Sequence, residues 1–352
     1  MAREWRCAVV GTGTVGEWHV RTLANLPGCK LVAVCDVKEA RLKAAVEKNG
    51  IAATHYTDAL ELYRREQIDA VHICTPSGDH MGPAITAMQH GKYVVVEKPM
   101  EIHLDRIDKM VEASEKYKVR LAGIFQNRWN EANLAIKQAV DAGRFGRLAW
   151  AGSFTPWHRT DQYYAEGGWR GTWAMDGGGA VMNQGVHQVD LMQWAIGPVK
   201  TVSAFSSSRI HDAIEVEDTL TCALEFANGA FGSFVSTTAM YPGSATRLEV
   251  GGEFGTAISE NGLRRFQFRD VLPEDAVLLE RLDPAQALTT GGGANAKDVA
   301  LDLHRQNIQA IYSAWGEDKE AETNGPEARK AVAIIQAMYE SARKRGAPVD
   351  VK

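Results

Sequence analysis

Short apolar runs alternate with amphipathic stretches over about the first third of the chain. The pattern predicts strands at 6–10, 31–35, 69–74, 93–96 and 120–125, and helices at 14–26, 38–48, 57–66, 80–90 and 104–117. Strands and helices that alternate in this way form parallel βαβ units, so we predict an α/β domain with a doubly wound parallel sheet. In such a sheet a ligand binds beyond the carboxyl ends of the strands.

The pattern changes near residue 150, where alternating strands follow one another with few helices between them. Strands are predicted at 148–154, 199–207, 218–226, 230–238, 245–250 and 255–259, and helices at 178–196, 298–315 and 326–344. Asn228-Gly229 predicts a hairpin turn. Segment 270–297 has little periodicity and contains three consecutive glycines, so we expect a flexible excursion or a binding loop there. This part of the chain predicts an α+β domain with a large, mostly antiparallel open sheet.

Length and composition agree with two domains. The chain has 352 residues, of which 45% are hydrophobic and 24% charged, as in soluble proteins with sizeable cores. We place the domains at 1–125 and 126–352, with the C-terminal helices free to pack back on the first domain. We assign substrate binding and oligomerisation to the second domain.

Charge and terminal sequence narrow the class of protein. A net charge of −5 argues against nucleic-acid binding, and no apolar stretch has the length of a membrane span. Met1 to Trp5 leads directly into the first predicted strand and leaves no room for a signal peptide, so we expect a cytoplasmic protein. The five cysteines are scattered and odd in number, which favours buried reduced thiols over disulfides or a metal site.

A glycine motif follows the first predicted strand. Gly11, Gly13 and Gly16 have the spacing of a dinucleotide-binding turn, and Asp36 ends the second strand twenty residues beyond the last glycine. The glycines would form the turn, admit the pyrophosphate and let helix pack on strand, while the acid would bind the ribose hydroxyls. We therefore predict a Rossmann domain that binds NAD. NADP is less favoured, because Asp36 would repel a 2′-phosphate, although Lys38 and Arg41 nearby leave tolerance of NADP open.

Two further predicted strand ends carry polar residues that would face the same ligand. One continues into Thr75-Pro76 and His80, although an ordinary turn with Asp79 or Ser77 as the helix cap explains those residues nearly as well. The other continues into Glu97-Lys98-Pro99. Lys98 would point toward the nicotinamide, and the X–Pro bond can be cis. A lysine beside a positive ring would have a lowered pKa suited to proton exchange, and the alternative is a solvated lysine.

The predicted helix at 178–196 combines an amide and an imidazole. It follows three glycines, and Asn183 and His187 stand four residues apart on one helical face, with Asp190 three residues further on. The glycines permit close approach of another group, and the amide can orient ligand and imidazole. A histidine on a helix is otherwise more often structural than catalytic.

Aromatic and basic residues are dense between 150 and 194. Arg159, Tyr163, Tyr164 and Arg170 lie in glycine-rich sequence among five tryptophans. Aromatic faces beside long hydrogen-bond donors suit a polyhydroxylated ring, which offers C–H faces and hydroxyl edges.

Taken together, these motifs resemble the Gfo/Idh/MocA family, the glucose–fructose oxidoreductase and inositol dehydrogenase group, over essentially the whole chain. The resemblance implies hydride transfer between a nicotinamide cofactor and a sugar, cyclitol or related secondary alcohol, with Lys98 and His187 at the reacting hydroxyl. It also implies cofactor contacts and substrate contacts. The expected cofactor contacts are Gly11, Gly13, Thr14, Val15, Gly16, Asp36, Thr75, Pro76, His80, Glu97, Lys98, Asn127, Trp169 and Arg170. The expected substrate contacts are Arg128, Arg159, Tyr163, Tyr164, Arg170 and Asn183. No metal is expected.

One departure from the family concerns Asn183, because many members have aspartate at this place. A neutral amide leaves the division of acid–base work between His187 and Lys98 open. Asparagine here resembles a branch that acts on sugar or nucleotide-sugar rings, commonly at the C3 hydroxyl. Two alternatives remain: an NAD-using glycoside hydrolase that works by transient C3 oxidation and elimination, and a non-catalytic NAD-binding regulatory protein. The family's open sheet implies a homodimer or homotetramer.

Overall fold

The computed structural model describes residues 4–47, 50–285 and 301–352. These residues group into two compact units. The first contains Met1–Phe125 with Leu301–Arg329, and the second contains Gln126–Ala300 with Lys330–Lys352. The division at residue 125 coincides with the boundary that we placed by sequence. Residues 301–329 group with the first unit, which is the packing that we left open for the C-terminal helices.

The first unit is built on a six-stranded parallel sheet. Its strands are β1 (Trp5–Val10), β2 (Cys29–Cys35), β3 (Thr54–Tyr56), β4 (Ala70–Ile73), β5 (Tyr93–Val96) and β6 (Leu121–Gly123). They are ordered β3-β2-β1-β4-β5-β6, and every pair is parallel. This order confirms the doubly wound sheet. The sequence missed β3 because this strand has only three residues, two of them exposed, and so shows no apolar run.

The helices lie mostly where the periodicity predicted them. In chain order they are α1 (Thr14–Asn25), α2 (Glu39–Glu47), α3 (Ala59–Arg65), α4 (Met81–Gln89), α5 (Leu104–Tyr117), α6 (Glu131–Asp141), α7 (Asp161–Ala165), α8 (Val186–Ile196), α9 (Pro273–Arg281), α10 (Leu301–Gly316) and α11 (Gly325–Arg343). The sequence missed α6, which begins at an Asn130 side chain that caps two backbone N–H groups, and the short α7.

Aromatic packing explains why α10 belongs to the first unit. Trp5 on β1 lies 5.4 Å from the ring of Tyr312 and 6.1 Å from that of Trp315, measured between centroids. Tyr93 on β5 meets Trp315 edge to face at 5.2 Å. Large buried rings contribute much of a core's stability, so this cluster holds α10 against the parallel sheet.

The second unit is built on an eight-stranded sheet. Its strands are β7 (Leu148–Pro156), β8 (Val199–Ser207), β9 (Thr219–Phe226), β10 (Phe231–Thr237), β11 (Arg247–Gly252), β12 (Gly255–Ser259), β13 (Leu263–Phe268) and β14 (Val349–Asp350). They are ordered β13-β12-β11-β7-β10-β9-β8-β14. Only the β7–β10 pair is parallel among these described strands, which confirms a mostly antiparallel sheet. Asn228-Gly229 forms the predicted turn between β9 and β10.

Three predictions for the second unit need correction. The helix predicted at 178–196 begins as a π-helix, Ala180–Gly185, and continues as α8. The segment at 270–297 is not an excursion throughout, because it contains α9; its residues 286–297 lie outside the described part of the chain. Strand β13 was missed because Arg264 and Arg265 stand next to each other and interrupt the apolar–polar alternation.

The structure also gives the state of the cysteines and the hydropathy of the helices. All five cysteines are free thiols, and Cys7, Cys35 and Cys222 are buried. None of the helices in the described ranges combines the length and hydropathy needed to cross a membrane.

Candidate active site

The glycine loop after β1 has one tightly packed side and one open side. A Cβ on Gly11 would lie 2.5 Å from the carbonyl oxygen of Cys74, and a Cβ on Gly16 would lie 1.9 Å from that of Gly11. Only glycine fits at either place. A Cβ on Gly13 would meet no heavy atom of the described residues within 4 Å. The loop therefore packs β1 against α1 through its outer glycines and leaves its middle glycine open to a ligand.

The open side lies at the amino end of α1. Gly13 is the N-cap, and its position provides no side-chain hydrogen bond to the first turn. Thr14 is exposed and Val15 partly exposed. Unused backbone N–H groups and the positive end of the helix dipole bind phosphate. These residues fit the pyrophosphate of a dinucleotide.

Asp36 follows the end of β2 and is held there by the glycine loop and by the backbone of Lys38. Its Oδ2 accepts hydrogen bonds from the backbone N–H of Thr12 at 2.8 Å and from the Thr12 hydroxyl at 3.2 Å. Its Oδ1 accepts the backbone N–H of Lys38 at 2.9 Å. A carboxylate fixed beside the glycine loop suits the ribose hydroxyls of NAD and opposes a 2′-phosphate.

The turn after β5 carries Lys98 at the same edge of the sheet. Lys98 is partly exposed, and its peptide bond to Pro99 is cis. Its backbone N–H donates to Oε2 of Glu97 at 3.0 Å. Because the glycine loop, Asp36, Thr75-Pro76 and Lys98 each follow a parallel strand, the structure brings them together at the carboxyl edge of one sheet.

Glu97 and His80, both expected as cofactor contacts, have buried side chains that bond to protein groups, and their cofactor contacts stay predictions. Glu97 is buried, and its Oε1 lies 2.8 Å from Nε2 of His19 and 3.1 Å from Nε2 of His304. Burial favours a raised pKa of the Glu97 carboxyl, but the hydrogen bonds from the two imidazoles outweigh it and hold this pKa well below its usual range. The buried ring of His80 lies between the carbonyl oxygens of Thr75, at 2.9 Å, and Pro99, at 3.0 Å. Both side chains support the ligand-facing loops from inside.

In the second unit, a buried carboxylate anchors the π-helix before His187. Oε2 of Glu217 accepts the N–H of Gly179 at 3.0 Å, and Oε1 accepts the N–H of Val181 and the Tyr339 hydroxyl, both at 2.9 Å. A Cβ on Gly178 would lie 2.0 Å from that hydroxyl oxygen. As predicted, the glycines allow another group to approach closely, and the groups that do so, Glu217 and Tyr339, belong to the protein. Glu217 and Tyr339 were missed because they lie far from the helix in sequence.

The predicted amide–imidazole pair lies on this element. The Asn183 side chain donates to Oδ1 of buried Asp176 at 2.6 Å, and Oδ2 of Asp176 accepts the N–H of Gly171 at 2.9 Å. Many family members have an aspartate at position 183 itself. In this chain the carboxylate of Asp176 lies beside the Asn183 amide instead. Sequence reasoning missed Asp176, although an acid directly before three glycines was a usable signal. Between Asp176 and Ile196, only His187 and Trp194 are not buried.

Two arginines and three aromatic rings form what we call the arginine–aromatic stack: Trp157, Arg159, Tyr163, Trp169 and Arg170. The Arg159 guanidinium lies 4.9 Å from the ring centroid of Trp157 and 5.3 Å from that of Tyr163. The Arg170 guanidinium lies 4.6 Å from the ring of Tyr163 and 5.2 Å from that of Trp169. The stack thus concentrates two positive charges on rigid aromatic faces.

The stack adjoins the π-helix, because the side-chain amide of Gln184 donates to the Tyr163 hydroxyl at 2.8 Å. Gln184 directly follows Asn183. The structure therefore brings the stack close to the Asn183 region within one unit.

Arg128 and Tyr164, two of the expected substrate contacts, are buried and bonded to other residues of the protein. Arg128 is 1% exposed and forms a two-pronged ion pair with Asp190, at 2.8 Å from Nε and 2.5 Å from Nη2. Tyr164 is buried, and its hydroxyl lies 2.7 Å from that of Thr238. Their side chains thus have partners within the protein, and their substrate contacts stay predictions. Asn127 is partly exposed, and its predicted cofactor contact stays a prediction, as do those of Trp169 and Arg170.

Comparisons with known proteins agree with these motifs. Residues 5–125 match the model of the "Oxidoreductase family, NAD-binding Rossmann fold", and residues 133–258 match the "GFO/IDH/MocA C-terminal domain". The crystal structure of the WlbA dehydrogenase from Bordetella pertussis in complex with NADH and UDP-GlcNAcA is similar at 32% identity and a TM-score of 0.89, with 99% of this chain and 98% of that chain covered.

Curated relatives are more distant. D-apiose dehydrogenase of Paraburkholderia graminis is 27% identical, with 99% of this chain and 90% of that enzyme covered. Inositol 2-dehydrogenase of Salmonella typhimurium is 28% identical over 57% of each chain, so this chain spans little more than half of that relative's length.

Proposed function

Because the chain belongs to the Gfo/Idh/MocA family, we propose that it is an NAD-dependent oxidoreductase acting on a secondary hydroxyl, or the matching ketone, of an anionic sugar derivative. A nucleotide sugar or a sugar carboxylate has the required charge. The observation that carries this proposal is the arginine–aromatic stack, which lies beside the π-helix that precedes His187.

The cofactor part of the proposal follows from the open side of the glycine loop. Gly13, Thr14 and Val15 would hold the pyrophosphate at the amino end of α1, and Asp36 would bind the adenosine ribose. Bound NAD supplies a nicotinamide ring that accepts or returns hydride. The chain's own residues provide the proton chemistry and orient the substrate.

We assign that proton chemistry to Lys98 and His187. Oxidation of a carbinol releases one proton from the hydroxyl oxygen, and Nζ of Lys98 or a ring nitrogen of His187 would take it. Asn183 is neutral, and its amide is directed by Asp176, so it would serve to orient the substrate. Lys98 and His187 are partly exposed, whereas Asn183 is buried.

The charge of the substrate is proposed from Arg159 and Arg170. A guanidinium on an aromatic face offers two parallel N–H donors and suits carboxylate or phosphate oxygens, while the ring faces suit sugar C–H groups. The similarity to the dehydrogenase crystallised with NADH and UDP-GlcNAcA supports an anionic nucleotide sugar. With asparagine at position 183, we propose C3 as the reacting carbon.

Steady-state kinetics with paired substrates tests this function. We expect NADH formation at 340 nm with UDP-N-acetylglucosaminuronic acid, and at least 10-fold lower kcat/KM with N-acetylglucosamine, which carries neither the diphosphate nor the carboxylate. NMR of the product would show a ketone at C3. We expect Arg159→Ala and Arg170→Ala to raise the substrate KM about 10- to 100-fold, since each removes a charge-assisted contact.

Catalytic roles are tested with Lys98→Ala and His187→Ala, for which we expect kcat to fall by about 10²- to 10⁴-fold. Lys109→Ala, an exposed lysine on α5, is the matched control and should keep full activity. Unchanged turnover in both variants would reject the assigned roles. Aglycone release from nitrophenyl glycosides without net NADH would indicate the hydrolase alternative, and NAD binding without turnover of any sugar would indicate a regulatory protein.

A further inference from the structure

A buried cluster of imidazoles surrounds the carboxylate that precedes Lys98. We propose that His19 and His304 are positioning residues that fix Glu97, and through it the backbone of Lys98. The inference rests on the proposed role of Lys98, and it extends that site to two histidines that contact neither cofactor nor substrate.

The contacts form a continuous hydrogen-bonded chain inside the first unit. Nε2 of His19 and Nε2 of His304 both face Oε1 of Glu97, at 2.8 and 3.1 Å. The second oxygen, Oε2, accepts the backbone N–H of Lys98 at 3.0 Å. One carboxylate therefore links two imidazoles on one side to the lysine's main chain on the other.

Further buried groups contact His19 at Nδ1, the ring nitrogen that does not face Glu97. Its Nδ1 lies 2.6 Å from Nδ1 of His72, and Nε2 of His72 lies 2.8 Å from the Tyr312 hydroxyl. The Tyr312 oxygen lies 3.2 Å from Sγ of Cys7. Every side chain in this chain of contacts is buried.

One assignment of protons satisfies the contacts from Tyr312 to Glu97. The Tyr312 hydroxyl donates to Nε2 of His72, Nδ1–H of His72 donates to Nδ1 of His19, and Nε2–H of His19 donates to Glu97. His304 donates its own Nε2–H to the same carboxylate oxygen. Both His19 and His72 are then neutral and Glu97 is an anion. This agrees with burial, which lowers the pKa of His19 to about 4 and that of His72 well below its usual value.

The elements that carry these residues explain the proposed effect. His19 lies on α1, whose first turn forms the dinucleotide loop, and Glu97 ends β5. His72 lies on β4, and His304 and Tyr312 lie on α10. The cluster thus joins the helix that would hold the pyrophosphate to the turn that presents Lys98. A displacement of about 1 Å at a reacting group costs roughly 10²-fold in rate.

His19, His304 and Glu97 also have the residue types that bind a divalent cation, because two imidazoles and a carboxylate are common metal ligands. The two Nε2 atoms lie 3.1 Å apart and both face one carboxylate oxygen at hydrogen-bond distance. This arrangement gives Nε2–H of each imidazole an acceptor in Glu97 itself, while Nδ1 of His304 is buried without a hydrogen-bond partner among the described residues. A tightly bound metal is therefore an outcome that would overturn the proposal.

The kinetic test compares two pairs of variants. His19→Leu and His304→Leu remove the donor, whereas His19→Gln and His304→Gln place an amide nitrogen near the position of Nε2. We expect the leucine variants to lose at least 10-fold in kcat and to change the pH profile of kcat, while the NAD KM moves less than about 3-fold. We expect the glutamine variants to recover a large part of kcat. His55→Leu, an exposed histidine on β3, should match the unaltered protein. Equal loss in the leucine and glutamine variants, or loss confined to KM, would contradict the positioning role.

A second measurement needs no turnover and so separates this inference from the proposed function. Selective ¹⁵N labelling of histidine should show His19 neutral, with its proton on Nε2, from pH 8 down to about pH 5. A His19 imidazolium at pH 6, or one equivalent of metal in the purified protein by mass spectrometry, would overturn the assignment even if every variant folds poorly. If the NMR result holds and Lys98→Ala keeps full turnover, the proposed function fails while the hydrogen-bonded cluster stands.

Discussion

Two carboxylates at the same sheet edge show how much a single residue depends on its surroundings. Asp36 accepts backbone N–H groups from Thr12 and Lys38, which hold it beside the glycine loop. Glu97 accepts two imidazoles from inside the unit. Both follow a parallel strand, so the sequence placed both at the cofactor. The two carboxylates differ in their donors: Asp36 is bonded to the backbone of the ligand-facing loops, and Glu97 is bonded to two buried imidazoles.

The role of Asp36 gives a prediction at this scale. We expect Asp36→Ala to raise the KM for NAD about 10- to 100-fold with little change in kcat, because hydrogen bonds from the ribose to a charged group contribute about 1.5–3 kcal/mol each. Discrimination against NADP should weaken in parallel, since the repelling charge is gone. Kinetics with both cofactors measure this. Asp105→Ala on α5 is the control, and an unchanged NAD KM would exclude the assigned contact.

At the scale of an element, the helix before His187 depends on one distant acid. Glu217 accepts two backbone N–H groups at the start of the π-helix and the Tyr339 hydroxyl. Burial raises the pKa of Glu217 to about 7, although the hydrogen bonds oppose it. The folded state therefore binds more protons at Glu217 than the unfolded state between about pH 4.5 and 7, so this group's contribution to stability falls as pH rises through that window.

Tyr339→Phe tests that arrangement. The variant removes a donor to the carboxylate, so we expect a loss of about 1–2 kcal/mol in the free energy of unfolding at pH 8 and a smaller loss at pH 6, where Glu217 is mostly protonated. Urea unfolding at the two pH values measures the difference. Tyr241→Phe, at an exposed tyrosine, should change neither value. A larger loss at pH 6 than at pH 8 would contradict the assigned direction.

At the scale of the whole molecule, the second sheet has an open face with an uncharged patch on β8, β9 and β10, bordered by Glu225 on β9 and by Arg247 and Glu249 on β11. Phe205, Thr221 and Val235 stand in one row across β8, β9 and β10, and Ala223 occupies the next row between Ser203 and Ser233. These residues are exposed or partly exposed. An exposed uncharged patch on a sheet face suits association with a second copy of itself, in line with the homodimer or homotetramer predicted from the family resemblance.

Light scattering after size-exclusion chromatography tests this association. We expect the unaltered protein to elute with the mass of two or four chains and Val235→Arg to shift toward the mass of one chain, because two guanidinium groups would meet in a symmetric interface. Val277→Arg introduces the same charge at an exposed position on α9, away from this face. Equal masses for the two variants would exclude this face as the interface.

Much of the fold and part of the candidate site could be predicted from local pattern. The parallel strands, the hairpin at Asn228-Gly229, the glycine loop and Asp36 all depend on residues close together in sequence, whose spacing reflects backbone geometry. Arg128 and Tyr164 could not be assigned in this way, because burial in an ion pair or against Thr238 depends on partners far along the chain.

By itself, the sequence determined the class of each sheet, the position of the dinucleotide loop and the residue types available for proton transfer, because periodicity and glycine spacing are local properties. The tertiary structure alone decided that Leu301–Arg329 belongs with the first unit, that Glu97 faces His19 and His304, and that Asp176 accompanies Asn183. Those outcomes depend on which side chains, distant in sequence, are buried together. A buried polar group requires a hydrogen-bond partner, and these neighbours provide it.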